Sequence, residues 1–325
     1  MKHVNENPRH QRQASAVLLC IELVQSCTDL IDELQRERGL SQLALSPQAE
    51  SYAAALREQL RLSNEAEQQL RGKLRELQAW PSAGQAGMAE LTRNGMALLH
   101  SPGLADLAGM RQRVLLLQCS REQALQAYST LLAQLLALVT TARGALCDAE
   151  LERELAVLEQ LMLAKEYSGQ ERASGCGLLA CGQHDAQAWQ RTLRLIEAQN
   201  RCAAQFISGA RQGARQRLQQ ALTLETQVEL ENLRQQVADS PDPAALDPAL
   251  GELWFRSCSR RMNELRAVER SLLQDMQQAL AWQARSVARR DMHARQTPGA
   301  VEAVLRTAAA WLAGAQTDAQ RGTLA

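Results

Sequence analysis

The prolines of this 325-residue chain are unevenly spaced, and none of the eight lies between Pro102 and Pro241. Proline removes a backbone N–H and breaks helix interiors, so that interval can hold long unbroken helices. Leu and Ala dominate the apolar residues, and only 3% of the chain is aromatic, a composition that favours helix over strand. The sequence therefore predicts an all-α fold.

Apolar periodicity, together with the prolines and capping residues at helix ends, predicts where the helices lie. Ser120 followed by Gln123 indicates a capping box at a helix start, and Asp185 is predicted to cap another helix. The Asp/Pro-rich stretch 238–251 reads as a linker, and the polar tail from Gln316 as frayed. The predicted helices span about 11–46, 48–79, 88–99, 103–118, 120–146, 148–182, 185–237, 254–296 and 300–315.

Long helices joined by short connections are typical of helix bundles. We expect two up-down four-helix bundles in tandem within one region, 11–296, the first covering 11–146 and the second 148–296. A C-terminal helix and tail would occupy 297–325. Within that segment, Trp311 and Ala308–Ala310 suggest a docking or dimerising helix.

Arg38 occupies an unexpected position on the first predicted helix. It lies 4 residues after Leu34 and 7 after Ile31, which places it within the apolar stripe that faces the core. Burying an unpaired charge is costly, and arginine does not neutralise itself by losing a proton. The sequence therefore predicts an anionic partner for Arg38.

Arg172 and Arg261 repeat this setting on later helices. Arg172 shares a face with leucines and with the small residues Ser168 and Gly175, and Arg261 lies 7 residues after Trp254. One explanation is an internal salt bridge for each arginine, for example to Glu37, Glu171 or Glu264. The other is a dry cationic cavity, in which converging guanidinium groups match a planar oxyanion.

The residue patterns of enzymes and cofactor sites do not occur in the sequence. No histidine follows a glutamate by three positions, as di-metal bundles need, and no Gly-rich phosphate loop or Gly-x-Ser-x-Gly motif is present. Cys176 and Cys181 are the only close cysteine pair, a poor zinc site without histidine partners. We expect no enzymatic activity, no metal and no cofactor.

Charge and hydropathy limit the expected location and partners. The formal charge is zero, from 36 basic and 36 acidic residues, which disfavours direct nucleic-acid binding. No apolar segment of a secretory signal opens the chain. The longest uncharged run, 123–142, carries several Gln and Thr residues and is better explained as a buried helix than as a membrane span. We expect a cytoplasmic protein.

Four stretches in order resemble the NIT domain, the nitrate- and nitrite-sensing module of bacterial regulators. The resemblance covers about residues 15–290. The stretches are Glu37-Arg38-Gly39-Leu40-Ser41, Tyr128-Ser129 with Leu131 to Leu136, Lys165-Glu166 through Glu171-Arg172-Ala173, and Trp254-Phe255 through Ser259, Arg261 and Leu265 to Glu269.

The resemblance implies an all-helical fold of two four-helix bundles with nitrate or nitrite held by arginines between them. The matching positions are Arg38, Arg261 and Arg172. NIT domains usually carry an output module, such as an RNA-binding antiterminator domain, a kinase or a chemoreceptor. Only 27 residues follow Pro298 here, so we expect output through a regulatory protein partner or a homodimer.

Two other hypotheses stay open. The first is a helical scaffold or protein-interaction module without a ligand, in which Arg38→Ala should destabilise the protein by stranding a carboxylate. In the sensor hypothesis, the protein binds nitrate or nitrite as the resemblance implies. This hypothesis expects Arg38→Ala to leave ligand-free stability unchanged or raised. The second is an RNA-binding regulator, suggested only by the Arg-rich strip Arg285, Arg289, Arg290 and Arg295.

Overall fold

The computed structural model describes residues 8–45, 49–81, 85–180, 186–240 and 250–295, and in these ranges the secondary structure is helical. This confirms the predicted all-α class. The helices are α1 (Pro8–Ala44), α2 (Ala49–Gln78), α3 (Ala86–Leu99), α4 (Pro102–Ala105), α5 (Leu107–Leu115), α6 (Arg121–Gly144), α7 (Ala149–Ala180), α8 (Ala186–Gly209), α9 (Gln212–Ala221), α10 (Leu224–Asp239) and α11 (Leu250–Arg295).

The long helices fall close to their predicted positions, and the predicted capping box is present. The Ser120 hydroxyl accepts from the Gln123 backbone N–H, and the Gln123 side chain accepts from the Ser120 N–H. Such reciprocal bonds satisfy two of the donors left free at a helix start. The start of α6 is therefore fixed by local sequence.

Two predicted helices were wrong, because each is divided into shorter helices at positions without a proline. The single helix expected over 185–237 is three helices, broken after Gly209 and again at Leu222, where Thr223 caps α10 by accepting from the Thr226 N–H. The helix expected over 103–118 is likewise divided at Asp106 into α4 and α5. Side-chain capping offers the backbone an alternative to a continuous helix.

Several predictions fall outside the described residues. These are the Asp185 cap, most of the linker at 238–251, the helix at about 300–315 and the polar tail. The division into bundles at 11–146 and 148–296 stays a prediction of the sequence.

One group of packed helices is formed by α1, α2, α3 and α6, with α4 and α5 against it. The predicted stripe of α1 is buried here, with Ile21, Val24, Ile31 and Leu34 fully excluded from solvent. Arg38 continues this stripe and is only 1% exposed. Its predicted burial is confirmed.

A second group of packed residues joins α7, α10 and α11, while α8 packs along α7. Its apolar cluster contains Leu179, Leu233, Trp254 and Cys258. The Trp254 indole N–H donates to the backbone oxygen of Glu171 at 3.2 Å, which satisfies the polar end of a fully buried ring. Trp254 therefore holds the start of α11 against α7.

The buried polar contacts between α1 and α7 keep a nearly constant sequence spacing, between 128 and 137 residues. A constant difference is the property of neighbours that run in the same direction, whereas antiparallel neighbours keep a constant sum. The two helices are therefore parallel where they meet. The contacts that set the register are Thr28 with Met162, Asp32 with Lys165, Gln35 with Glu166, and Gln35 with Arg172.

Each group of helices contains one buried, two-pronged glutamate–arginine pair. Glu37 of α1 accepts from Arg111 of α5 at 2.8 and 2.9 Å, and Glu171 of α7 accepts from Arg234 of α10 at 2.8 Å twice. The two glutamates are 171 − 37 = 134 residues apart. Each glutamate is followed directly by one of the buried arginines, Arg38 or Arg172, so the two Glu-Arg pairs of the sequence have similar surroundings.

Contacts divide the chain into two units, Met1–Met276 and Gln277–Ala325. The helices α1 to α10, the first part of α11 and the ion pairs described above belong to the first unit. Of the second, the structure describes the end of α11, where Trp282 is exposed.

Two helices, Arg12–Ala44 and Arg121–Gly144, are long and apolar enough to cross a membrane by length and composition alone. The most apolar window of the first is 67% buried inside the protein. That helix also carries Asp32, Glu37 and Arg38, whose ionic partners lie on other helices. Core helices of globular proteins have the same character.

We predict that Arg111→Ala lowers the free energy of unfolding by about 3–5 kcal/mol, because it leaves Glu37 buried without its counter-ion. Arg201→Ala is the matched control, since Arg201 forms an exposed i,i+4 pair with Glu197, and its effect should stay below about 1 kcal/mol. Urea unfolding measures both. Equal effects of the two substitutions would contradict a stabilising role for the buried pair.

Candidate functional site

Arg38 is held by a buried carboxylate on α7. Its Nη1 and Nη2 donate to Glu166 at 2.6 and 3.1 Å, and Nη1 also donates to the Ser129 hydroxyl of α6 at 3.0 Å. Gln35 and Gln170 donate to the same carboxylate, each at 2.9 Å. The charge of Arg38 is therefore neutralised within the protein, and only its Nε is buried without an acceptor.

The partners expected for Arg38 from the sequence were wrong. Glu37 and Glu171 pair with Arg111 and Arg234, and Glu166, which the sequence did not single out as a partner, pairs with Arg38. The sensor hypothesis expected Arg38→Ala to leave ligand-free stability unchanged. The Arg38–Glu166 pair favours the opposite expectation of the scaffold hypothesis, because the substitution would strand Glu166 in the core.

Arg172 is buried at this site without a carboxylate partner among the residues that the structure describes. Its Nη1 donates to the Ser259 hydroxyl at 2.9 Å, its Nη2 donates to the backbone oxygen of Gln35 at 3.0 Å, and its guanidinium lies 4.8 Å from the centre of the Phe255 ring. Burial, and then repulsion from Arg38, lower the pKa of Arg172 to about 10. The group is still charged at neutral pH, and a bound anion would compensate it.

Two glycines allow the arginines to cross between the helices. A Cβ atom on Gly39 of α1 would lie 2.5 Å from Arg172 Nη2, and one on Gly169 of α7 would overlap Arg38 Nη2. Only glycine leaves room for so close an approach. The space beside Gly39 is therefore filled in part by the Arg172 guanidinium.

A small cavity lies beside these groups, with about 30 Å³ available to the centres of water-sized molecules. One or two waters need that much room, and a planar four-atom oxyanion is of similar size. Neither Asp nor Glu is among the residues that line it. The lining residues are Arg38, Gly39, Gln42, Leu43, Arg121, Gly169, Arg172, Ala173, Cys176 and Phe255.

Arg261 does not line this cavity. Burial, and then the charge of Arg234, lower the pKa of Arg261, and its Nε is buried without an acceptor. The structure thus brings together Arg38 and Arg172 of the three predicted ligands, and places Arg261 toward the Glu171–Arg234 pair.

Arg121 lines the cavity and was missed by sequence reasoning. It is the first residue of α6, before the first apolar turn, so no periodicity argument could mark it. The bond from Gln42 Nε2 to its backbone oxygen, at 2.9 Å, joins the end of α1 to the start of α6. Proximity to Arg38 arises from this tertiary contact, which the local sequence does not encode.

A second cavity, of about 210 Å³, lies on the other side of Arg172. At its base, Lys165 contacts both Asp32 and Glu269, while Arg266 pairs with Asp32 at 2.5 Å and with Glu33 at 2.7 Å. This ionic cluster joins α1, α7 and α11. Arg36 also lies 3.9 Å from Glu33, so three carboxylates and three cations meet in this cluster.

The pKa of the Glu269 carboxyl group is raised in this cluster. Burial is the largest cause, and together with Asp32 it raises the pKa of Glu269 to about 7 although Lys165 opposes the shift. Glu269 Oε1 is buried without a hydrogen-bond partner. A proton is therefore bound here near neutral pH, where an ordinary glutamate is ionised.

Comparison with known proteins gives a consistent result. The profile of the family described as "Nitrate and nitrite sensing" (NIT) matches residues 29–277. The nitrate regulatory protein of Klebsiella oxytoca is 30% identical over 250 residues, which cover 76% of this chain and 60% of that protein. The chain thus spans less than two thirds of that relative's length.

A solved structure shares the architecture. The structure of the NasR transcription antiterminator aligns with 88% of this chain and 77% of its own chain, with a TM-score of 0.74 and 26% sequence identity.

We predict that the protein loses stability as pH rises from about 4.5 to 7. The folded-state pKa of Glu269 is raised, so its contribution is complete below the unfolded pKa of about 4.5 and is lost as pH rises through about 7. The change is on the order of 3 kcal/mol. Glu269→Gln should flatten this slope in urea unfolding at several pH values, whereas the exposed control Glu197→Gln should not. An unchanged slope in Glu269→Gln would contradict the assignment.

Proposed function

Because the chain belongs to the nitrate- and nitrite-sensing (NIT) family, we propose that it binds nitrate or nitrite in the cavity between α1 and α7 and acts in nitrate-responsive regulation. The observation that carries the proposal is Arg172, a buried guanidinium that faces this cavity without a carboxylate partner. A small anion supplies the missing charge.

The chemistry of the cavity suits a planar oxyanion. Guanidinium groups present donors in a fixed fork that matches two oxygens of one anion. Arg172 would supply most of the charge, and Arg38 would donate from its unpartnered Nε while its Nη atoms stay bound to Glu166. A cavity shielded from water strengthens both interactions.

Arg38 and Arg172 are the direct ligands in this proposal. Arg261 stays a prediction of the sequence, since the cavity that Arg38 and Arg172 share has no lining atom from it. The cavity supports small anions in general, and the preference for nitrate or nitrite comes from the family.

Anion binding would tighten the parallel contact of α1 and α7. Both helices contribute an arginine and a glycine to the cavity, so an anion between the arginines lowers the repulsion that Arg38 exerts on Arg172. The shift toward the tightened arrangement is limited by the difference in anion affinity between the two arrangements. We propose that a regulatory protein partner or a second copy of the chain responds to it, in the cytoplasm.

The second candidate function is a ligand-free helical scaffold. The Arg38–Glu166 pair favours it, because this arginine, like Arg111 and Arg234, has a carboxylate partner inside the protein. A scaffold does not explain why Arg172 is buried beside Arg38 without such a partner. Arg172, rather than Arg38, is therefore the residue that separates the two hypotheses.

We predict that nitrate or nitrite raises the melting temperature, since a ligand at 100 times its Kd adds about 2.7 kcal/mol. Arg172→Met keeps an apolar stem of similar length and removes the charge. It should abolish the anion-induced shift and leave anion-free stability unchanged or raised, because no carboxylate is stranded. The scaffold hypothesis expects no anion-induced shift in the unmodified protein, and that result would overturn the proposal.

We further predict that Gly39→Ala weakens anion binding by displacing Arg172, whose guanidinium occupies the site of the new methyl group. Gly72→Ala is the matched control within α2, where an added Cβ meets no atom within 4 Å. The control should stabilise the protein by about 0.5–1 kcal/mol through helix propensity and leave anion affinity unchanged. Calorimetric titration measures both affinities, and equal values in the two variants would contradict the proposed position of Arg172.

A further inference from the structure

Arg121 is an arginine at the proposed site without a counter-ion. Its Nε is buried without a hydrogen-bond partner, and no carboxylate of the described residues lies within 4 Å of its guanidinium. Arg113 on α5 and Arg143 at the far end of α6 each pair with acidic residues. Arg121 differs from these two arginines in facing the cavity rather than a carboxylate.

The position of Arg121 is set by the backbone. Gln42, one turn after Arg38 on α1, donates to the Arg121 carbonyl oxygen and also lines the cavity. The Ser120–Gln123 capping box fixes the turn that precedes it. Arg121 is thus placed by two independent contacts, neither of which involves its guanidinium.

The charge balance of the cavity leaves two cations uncompensated. Glu166 neutralises Arg38, whereas Arg172 and Arg121 have no acidic partner and the lining contains no Asp or Glu. Arg121 also begins α6, where the helix dipole places partial positive charge and disfavours a cation. An anion in the cavity would supply the missing negative charge and would also offset the unfavourable interaction of Arg121 with the helix dipole.

We propose that Arg121 is a third ligand of the anion, so that binding connects the start of α6 with α1 and α7. The inference rests on the proposed function, because it assigns one more residue to the same cavity. Its guanidinium would donate to an anion oxygen that Arg38 and Arg172 leave free. The anion would then be held from three helices.

The test is calorimetric titration of nitrate, and separately nitrite, into the unmodified protein and the variants Arg121→Gln, Arg121→Lys and Arg113→Gln. Arg121→Gln removes a charged donor and should raise the Kd about ten- to a hundredfold. Arg121→Lys keeps the charge but lacks the forked guanidinium, so its Kd should lie between those of the unmodified protein and Arg121→Gln. Arg113 is exposed and paired with Asp106, so Arg113→Gln should retain the unmodified Kd.

Thermal melts without anion separate a binding role from a structural one. Arg121→Gln should melt at or above the temperature of the unmodified protein, since no acceptor is left unpaired. If the unmodified protein binds the anion and Arg121→Gln binds it equally well, the inference about Arg121 is wrong while the proposed function stands. A lowered anion-free melting temperature in both Arg121 variants would show a structural role and would also overturn the inference. If the unmodified protein binds neither anion, the proposed function itself fails.

Discussion

A charge removed from water must meet an opposite charge or a dense set of hydrogen bonds, and this requirement shapes the structure around α1 and α7. Glu37, Glu166 and Glu171 each meet an arginine from another helix, and Lys165 meets two carboxylates. These pairs fix which helices are neighbours and in which register. Arg172 is different, because it donates to a hydroxyl and a backbone oxygen rather than to a carboxylate of the described residues. The proposed function rests on this difference.

The parallel register of α1 and α7 allows Arg172 to be buried beside Arg38. At this register Gly39 faces Arg172 and Gly169 faces Arg38, so each guanidinium crosses the opposite helix where a side chain is missing. A one-residue change in register would bring a Cβ atom against each guanidinium. The ionic cluster of Lys165, which directly precedes Glu166 and lies about one turn before Gly169, helps to hold the helices in place.

The fold class and the burial of Arg38 and Arg172 could be predicted from the sequence, because helical periodicity places a residue on a face regardless of its chemistry. Their partners could not. Glu166 lies 128 residues from Arg38, and periodicity holds no information about pairing over such separations. Arg121 was missed for a related reason, since it precedes the apolar turns of α6. Arg261 lies in an apolar stripe as predicted, but nothing in the sequence indicated that it would lie near Arg234 and Glu171 rather than line the cavity.

The breaks in the helix expected over 185–237 illustrate the same limit at the level of secondary structure. Composition and the lack of proline favour one helix, whereas the chain breaks after Gly209 and again before Thr223, which caps the start of α10. A single side-chain cap sets a helix boundary only where the packing of the surrounding helices also favours a break at that position.

The most direct test of the central claim is a crystal structure of the protein with nitrate bound. The account predicts density for a planar anion between α1 and α7, within hydrogen-bond distance of Arg172 and of Arg38 Nε, with the Arg38–Glu166 pair retained. Nitrate bound at Arg261 instead, with the cavity beside Gly39 and Gly169 empty, would contradict it.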